Sequence, residues 1–244
     1  MSDPIETFIE ERKDRIRQNE SNAALQKAAQ DFNLESNKAQ YSYNFSWMGR
    51  PIIQYPQDMV AMQEIIWDIK PDLIIETGIA HGGSLIYYAS LLELIGKGEV
   101  LGVDIDIRDH NRKEIEKHPM FARIKMIQGS SVSAETVAEV NKYISGKEKV
   151  LVCLDSNHTH EHVLNEIRMY SRFVTVGSYL VVFDTIVETM PDNYLPGRPW
   201  TKGNNPMSAV REFLKSDDKF IVDTTIDNKL LISVAPGGYL RKVK

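Results

Sequence analysis

Acids and glycines recur where apolar runs of this 244-residue chain end. In "LIIETGIAHGGSL" (73–85) the run stops at Glu76, passes Gly78, Gly82 and Gly83, and enters Ser84 and helix-like spacing. Comparable ends stand at Asp104 and Asp106, at Gly129–Ser131, at Asp155–His158 and at Asp184. Glycines let a backbone turn tightly and approach a ligand, and the helix start that follows offers free amides. The spacing is G-x-x-x-G-G, not the dinucleotide pattern G-x-G-x-x-G, and no Walker lysine follows. Glu76 would repel a pyrophosphate but accept from an ammonium group.

Asp104 is placed to accept from both hydroxyls of a ribose, with Asp106 a weaker candidate. Ser130 and Ser131 in "GSS" put small hydroxyls beside an adenine ring; a helix cap by Ser131 or Ser133 explains them equally well. An ammonium group and an adenosine without phosphate together describe S-adenosylmethionine. On this reading Glu76, Gly78, Gly82 and Ser84 face its methionine end and Asp104, Ser130 and Ser131 its nucleoside. His81 faces either cofactor or substrate.

"HTHEH" gathers His158, His160 and His162. It is not the zinc-protease H-E-x-x-H, and His158 and His162 are one helical turn apart, with His160 pointing elsewhere. His158, closest to Asp155 and the strand end, is the candidate general base; capping of an exposed helix start is the structural alternative. The segment 186–206 follows Asp184 and is too long for a simple connector, so a substrate lid is expected, with Arg198 and Trp200, and also Lys202, on a sugar or its phosphate. A packed surface or subunit contact is the alternative.

The elements that must position these residues alternate. Strands read at 72–77, 98–105, 124–129, 149–155 and 178–184; helices read at 83–95, 110–118, 133–144 and 160–173 between them. Near-continuous apolar strands separated by helices predict a parallel sheet covered on both faces. "FIVDTTI" and "KLLISVA" about Asp227-Asn228 predict a terminal antiparallel hairpin. Upstream, 4–30 reads as one or two surface helices, 41–55 as an ordered aromatic loop, and 56–69 as a helix turning Val60, Met62, Ile65, Ile66 and Ile69 inward. The fold class is α/β, a doubly wound, mostly parallel seven-stranded sheet with an N-terminal helical arm.

Lys and Arg number 29 against 34 Asp and Glu, a net charge of −5, which argues against nucleic acid as the main partner. Cys153 is alone in an apolar run and reads as a small buried side chain. No stretch approaches the ~18 apolar residues of a membrane span, and the N-terminus lacks a signal-peptide core, so a cytoplasmic protein is expected. The arm and the aromatic segment suggest a homo-oligomer.

The motifs "ETGIAHGGSLIYYASLL", "GVDID", "LDSNHTHEHVL" and "LVVFDT", with "WMGRPIIQYPQDM" and "NNPMSAVREFL", resemble the cephalosporin hydroxylase and rhamnosyl O-methyltransferase family over roughly residues 40–235. The resemblance implies a class I, Rossmann-like methyltransferase that uses S-adenosylmethionine on a hydroxyl of a sugar or glycosylated natural product. The chain is read as an arm with its aromatic loop, 1–50, and a methyltransferase domain, 51–244. The resemblance also implies a divalent metal, Mg²⁺, on Asp155 and Asp184, with Asp155 serving cofactor, metal and catalysis together. Residues 183–185 read Phe-Asp-Thr where the family pattern reads Glu-Asp-Thr, one carboxylate fewer, and His81 replaces a frequent Arg. A nicotinamide-dependent oxidoreductase and a non-catalytic S-adenosylmethionine-binding subunit are the alternatives.

Overall fold

The computed structural model describes residues 3–192, 194 and 196–244. Two helices open the chain: α1, Pro4–Ser21, and α2, Ala23–Lys38. Asp3 caps the first by accepting from the Ile5 amide at 2.9 Å, and Asn22 closes it and caps the second through the Leu25 amide at 3.1 Å. A 3₁₀ turn, Tyr41–Asn44, leads into a small antiparallel hairpin, β1 Phe45–Trp47 and β2 Arg50–Ile52. The sequence reading treats this stretch as loop. The hairpin forms because Met48 and Gly49 both take positive φ, the turn that matches strand twist. Trp47 then packs edge-on against Tyr87 and donates to Ser90 Oγ at 3.0 Å.

Helix α3, Pro56–Ile69, has Pro56 in its first turn and buries Met62, Ile65, Ile66 and Ile69 as expected. Val60 does not point inward; it is 55% exposed, since positions 58, 61 and 62 already define the buried face. The alternating units follow: β3 Leu73–Thr77, α4 Gly83–Ile95, β4 Glu99–Asp104, α5 Asp109–Glu116, β5 Ile124–Gln128, α6 Ala134–Ile144, β6 Val150–Leu154, α7 His160–Tyr170, β7 Tyr179–Val182 and α8 Pro206–Leu214. β8 Phe220–Val222, α9 Thr224–Leu230 and β9 Tyr239–Lys242 close the chain.

The strand order is β5-β4-β3-β6-β7-β9-β8, parallel through β7, with β9 antiparallel to both neighbours. An antiparallel pair does close the sheet, but Asp227-Asn228 lies inside α9 rather than in a two-residue turn. "KLLISVA" therefore supplies no strand, and the second strand is Tyr239–Lys242. Asp223 caps α9 through the Thr225 amide at 3.1 Å, a local helix signal that overrides the β-branched run.

Period-2 alternation sorts the strands onto two cores. Ile74, Leu151 and Cys153 face α3 and α4, whereas Leu73, Ile75, Val150, Val152 and Leu154 face α7 and α8. Cys153 is fully buried and its thiol is pushed well up by burial, a packing residue. By the same parity Glu76 falls on the α4 side. The order reverses between β3 and β6, so the strand ends there open a crevice.

Candidate active site

A cavity of about 420 Å³ lies over the carboxyl ends of β3, β6 and β7. Gly78, His81 and Ser84 contribute from the first loop, Asp155 and His158 from the second, Asp184 from the third, and Arg198 and Trp200 from the segment above. These eight sequence-predicted residues meet in one place. Glu76, Gly82, Asp104, Ser130 and Ser131 are not on its wall.

The glycine loop is fixed chiefly by backbone packing. Gly78 has φ +91°, and a Cβ there would sit 2.0 Å from the Asp155 carbonyl oxygen. A Cβ on Gly83 would meet the Pro51 carbonyl at 2.1 Å. Both residues must be glycine whether or not a ligand binds. Asp104 accepts from the amides of Ile79 at 2.7 Å and Asp106 at 2.9 Å, with Ala80 longer at 3.4 Å, so its carboxylate ties β4 to the loop. Arg50 clamps the other side, donating to the His81 carbonyl from Nε at 3.0 Å and to Asn111 Oδ1 at 3.0 Å; Asn111 in turn donates to the Ala80 carbonyl at 2.9 Å. Sequence reasoning passed over Arg50 and Asn111. Their partners are main-chain atoms, which side-chain motifs do not show.

Glu76 stands behind Ser84, whose Oγ donates to Glu76 Oε2 at 2.6 Å. Its other oxygen is buried without a partner among the described residues, and burial pushes its carboxyl up to about 8. Gln54, also missed, donates to Asp155 Oδ2 at 3.3 Å. Burial, then the negative charges of Asp184 and Glu76, hold the Asp155 carboxyl well above the usual range. Asp184 takes a left-handed backbone, φ 55°, a conformation Asp and Asn tolerate better than other side chains.

Ligand atoms of Asp155, His158 and Asp184 all lie within 4.8 Å of one another. Among the described residues neither carboxylate has a Lys or Arg partner; Asp184 Oδ2 pairs with His158 Nε2 at 3.4 Å, and the two carboxyl groups themselves are in contact. Facing carboxylates without a cation repel, and the donor set of two oxygens and one imidazole nitrogen fits a divalent metal that completes its shell with water. Phe183 is buried in the core, and the Thr185 hydroxyl donates to the Pro236 carbonyl at 2.8 Å. The residue placed to complete such a set is His158 rather than residue 183 or 185.

The three histidines part company. His158 precedes α7 and packs edge-on against Trp200, ring centroids 4.8 Å apart, with the Arg198 guanidinium over the indole at 5.1 Å. His162 pairs with Ser131 Oγ and Ser156 Oγ, each at 3.2 Å. His158 stands before α7, so the helical-turn spacing from 158 to 162 does not hold. His160 pairs with Ser208 Oγ at 2.8 Å and Glu212 at 3.1 Å, tying α7 to α8. Ser131 is buried, and the helix cap is Ser133, through the Thr136 amide at 3.2 Å.

Sheet order, glycine loop and a carboxylate-lined crevice define an α/β enzyme of the methyltransferase class. The comparisons agree and go further: residues 39–243 match the family "Rhamnosyl O-methyltransferase/CmcI", and the chain belongs to that family of S-adenosylmethionine-dependent O-methyltransferases. It is 31% identical over 197 residues to the rhamnosyl O-methyltransferase of Mycobacterium leprae, covering 80% of this chain and 82% of that one. It is 29% identical over 204 residues to the Mycobacterium tuberculosis protein of the same name, covering 80% and 77%. Among solved structures, a CmcI with Mg and S-adenosylmethionine aligns at TM-score 0.59 and 19% identity, over 83% of this chain and 78% of that one. An O-methyltransferase from Bacillus cereus in complex with S-adenosylhomocysteine aligns at 0.54 and 14%, over 89% and 91%. These structural likenesses show the fold. The nicotinamide-dependent reading falls with the family assignment.

Proposed function

We propose that this protein methylates a hydroxyl of a sugar, carried on a glycoside or glycosylated natural product, with S-adenosylmethionine as donor and a divalent cation, Mg²⁺, beside the acceptor. The observation that carries the reading is the cluster of Asp155, His158 and Asp184 in one cavity with the glycine loop. The relatives' name, rhamnosyl O-methyltransferase, supports a deoxyhexose acceptor.

The bound donor supplies an electrophilic methyl group on a sulfonium. Asp155 and Asp184 would hold the cation, which would supply Lewis acidity toward the acceptor hydroxyl. The protein's own work is mostly placement. Gly78, Gly82 and the amides at the start of α4 receive the methionine carboxylate, while Ser84 and, behind it, Glu76 receive its ammonium. Asp104, Ser130 and Ser131 are assigned to the nucleoside, and His81 to the border between cofactor and acceptor. His158 takes the hydroxyl proton at Nε2, and the nearby Asp184 carboxylate stabilises the imidazolium. Trp200 buttresses His158, and Arg198 with Trp200 covers the sugar as part of a lid formed by 186–206, of which 193 and 195 lie outside the described residues. Aligning oxygen, methyl carbon and sulfur can supply about 7–11 kcal/mol of the barrier.

A second reading of His158 is favoured by the same distances: as third metal ligand its Nε2 would no longer be free to take a proton. The chain divides into the arm, 1–50, and the methyltransferase domain, 51–244. We further infer a cytoplasmic homo-oligomer joined through the arm; α1 buries none of its residues and leaves Ile5 69% and Phe8 58% exposed. Among the described residues no helix is long and apolar enough to cross a membrane. Calorimetric titration with S-adenosylhomocysteine, with Mg²⁺ and with chelator, tests the function. Micromolar binding is expected, and no binding in either condition would overturn it.

A further inference from the structure

The methyl-transfer residues occupy only the floor of the cavity; its rim is built by a part of the chain that no motif singled out. Asn37 at the end of α2, and Gln40, Ser42 and Tyr43 just after it, line the cavity together with Tyr194 and Arg198. The family match starts at residue 39, so all of α2, Asn37 included, lies outside it, whereas Gln40, Ser42 and Tyr43 fall at its start. We propose that this end of the arm is one wall of the acceptor subsite and selects the sugar, a proposal that rests on the methyltransferase reading of the cavity.

The wall is fixed in place. Tyr55, 1% exposed, pairs its hydroxyl with Ser36 Oγ at 2.7 Å and accepts from Asn37 Nδ2 at 2.8 Å. Asn37 Nδ2 also donates to the Asn33 carbonyl at 2.9 Å, so both amide hydrogens are engaged and Oδ1 remains as an acceptor. From the lid side, the Tyr194 hydroxyl donates to the Leu34 carbonyl at 2.6 Å, so lid and arm meet beside the cavity. Gln40 holds a left-handed backbone, φ 52°, which breaks the helix and turns the chain along the rim.

What the wall presents is unspent. Among the described residues the side chains of Gln40, Ser42 and Tyr43 make no hydrogen bond, and Tyr43 has no ring partner and is 56% exposed. An amide, a hydroxyl and an open aromatic face, in one cavity with a guanidinium, suit a pyranose, which offers hydroxyls at its edge and C–H bonds on its face. A charged or flat aromatic acceptor would leave the amide and hydroxyl unpaired.

The test uses the full chain saturated with S-adenosylhomocysteine and Mg²⁺, titrated with methyl α-L-rhamnopyranoside and followed by saturation-transfer NMR. Two variants are compared with wild type: Tyr43→Ala, and Gln40→Gly, which keeps the left-handed backbone and deletes only the side chain. Rhamnoside binding to wild type that weakens about tenfold in Tyr43→Ala, and by a smaller factor in Gln40→Gly, is expected while S-adenosylhomocysteine affinity stays unchanged. Equal rhamnoside affinity in all three proteins overturns the arm subsite and leaves the methyltransferase reading intact. Loaded wild type that binds no rhamnoside also overturns the subsite as a sugar wall. Wild type that fails to bind S-adenosylhomocysteine overturns the underlying function instead.

Discussion

The two halves of the crevice are built on different principles. On the β3–β4 side the conspicuous residues are engaged with the protein itself: Asp104 on loop amides, Gly78 and Gly83 under neighbouring carbonyls, the His81 carbonyl held by Arg50. On the β6–β7 side Asp155 and Asp184 face each other with a histidine and, among the described residues, no Lys or Arg partner. The first half is a preformed mould whose parts, the inner oxygen of Glu76 apart, satisfy one another. The second stores unfavourable charge that only a cation or proton relieves. Acids that look alike in sequence therefore sit in different surroundings: one is held by backbone amides, the others face each other and a histidine.

That contrast can be broken by substitution. Asp155→Ala should give the largest effect, loss of measurable methyl transfer; retention of more than about a tenth of the rate, in an assay with labelled donor, would count against it. His158→Gln should lower kcat by roughly 10²–10⁴, the usual contribution of a positioned base. If His158 is the base, Mg²⁺ affinity stays unchanged in that variant; a parallel fall in metal affinity makes it a ligand. Asp104→Ala should weaken S-adenosylhomocysteine binding by about one to two orders of magnitude, through release of the 79–80 amides, with a smaller change in kcat.

Glu76 sharpens the comparison through pH. Its folded carboxyl is raised to about 8 from 4.5, so the folded state binds the extra proton. Its contribution to stability is fully present below the unfolded value and is lost as pH rises through about 8, a few kcal/mol in order of magnitude. Glu76→Gln should remove most of that slope and unfold at higher temperature than wild type at pH 8.5, while binding cofactor less tightly. Parallel melting-temperature profiles of the two proteins would contradict the assignment. Trp200→Ala, at the exposed end of the site, should show the smallest effect, a severalfold rise in acceptor KM.

Much of the sheet was legible because its strands are buried on both faces and read as apolar runs, and because Gly96 and Pro56 mark helix ends. The strand-end acids were legible for the same reason: a carboxylate after a buried strand interrupts the pattern. The β1–β2 hairpin was not, since its strands are three residues each and its turn is Met-Gly. The last strand was displaced because "KLLISVA" has strand propensity, yet Asp58 draws that segment into a bend. Asp58 accepts from Ser233 Oγ at 2.6 Å, the Val234 amide at 2.9 Å and the Tyr239 hydroxyl at 2.7 Å, bonds 175 or more residues away in sequence. The orientation of His158 toward Asp184, and of the arm toward the lid, likewise depends on contacts between distant elements.

The most direct test of the division is calorimetric titration of S-adenosylhomocysteine into wild type, Asp104→Ala and Asp155→Ala side by side with Mg²⁺ present. Binding that weakens strongly in Asp104→Ala and stays near wild type in Asp155→Ala is the predicted result. Equal loss of affinity in both variants would contradict the separation of mould from chemistry.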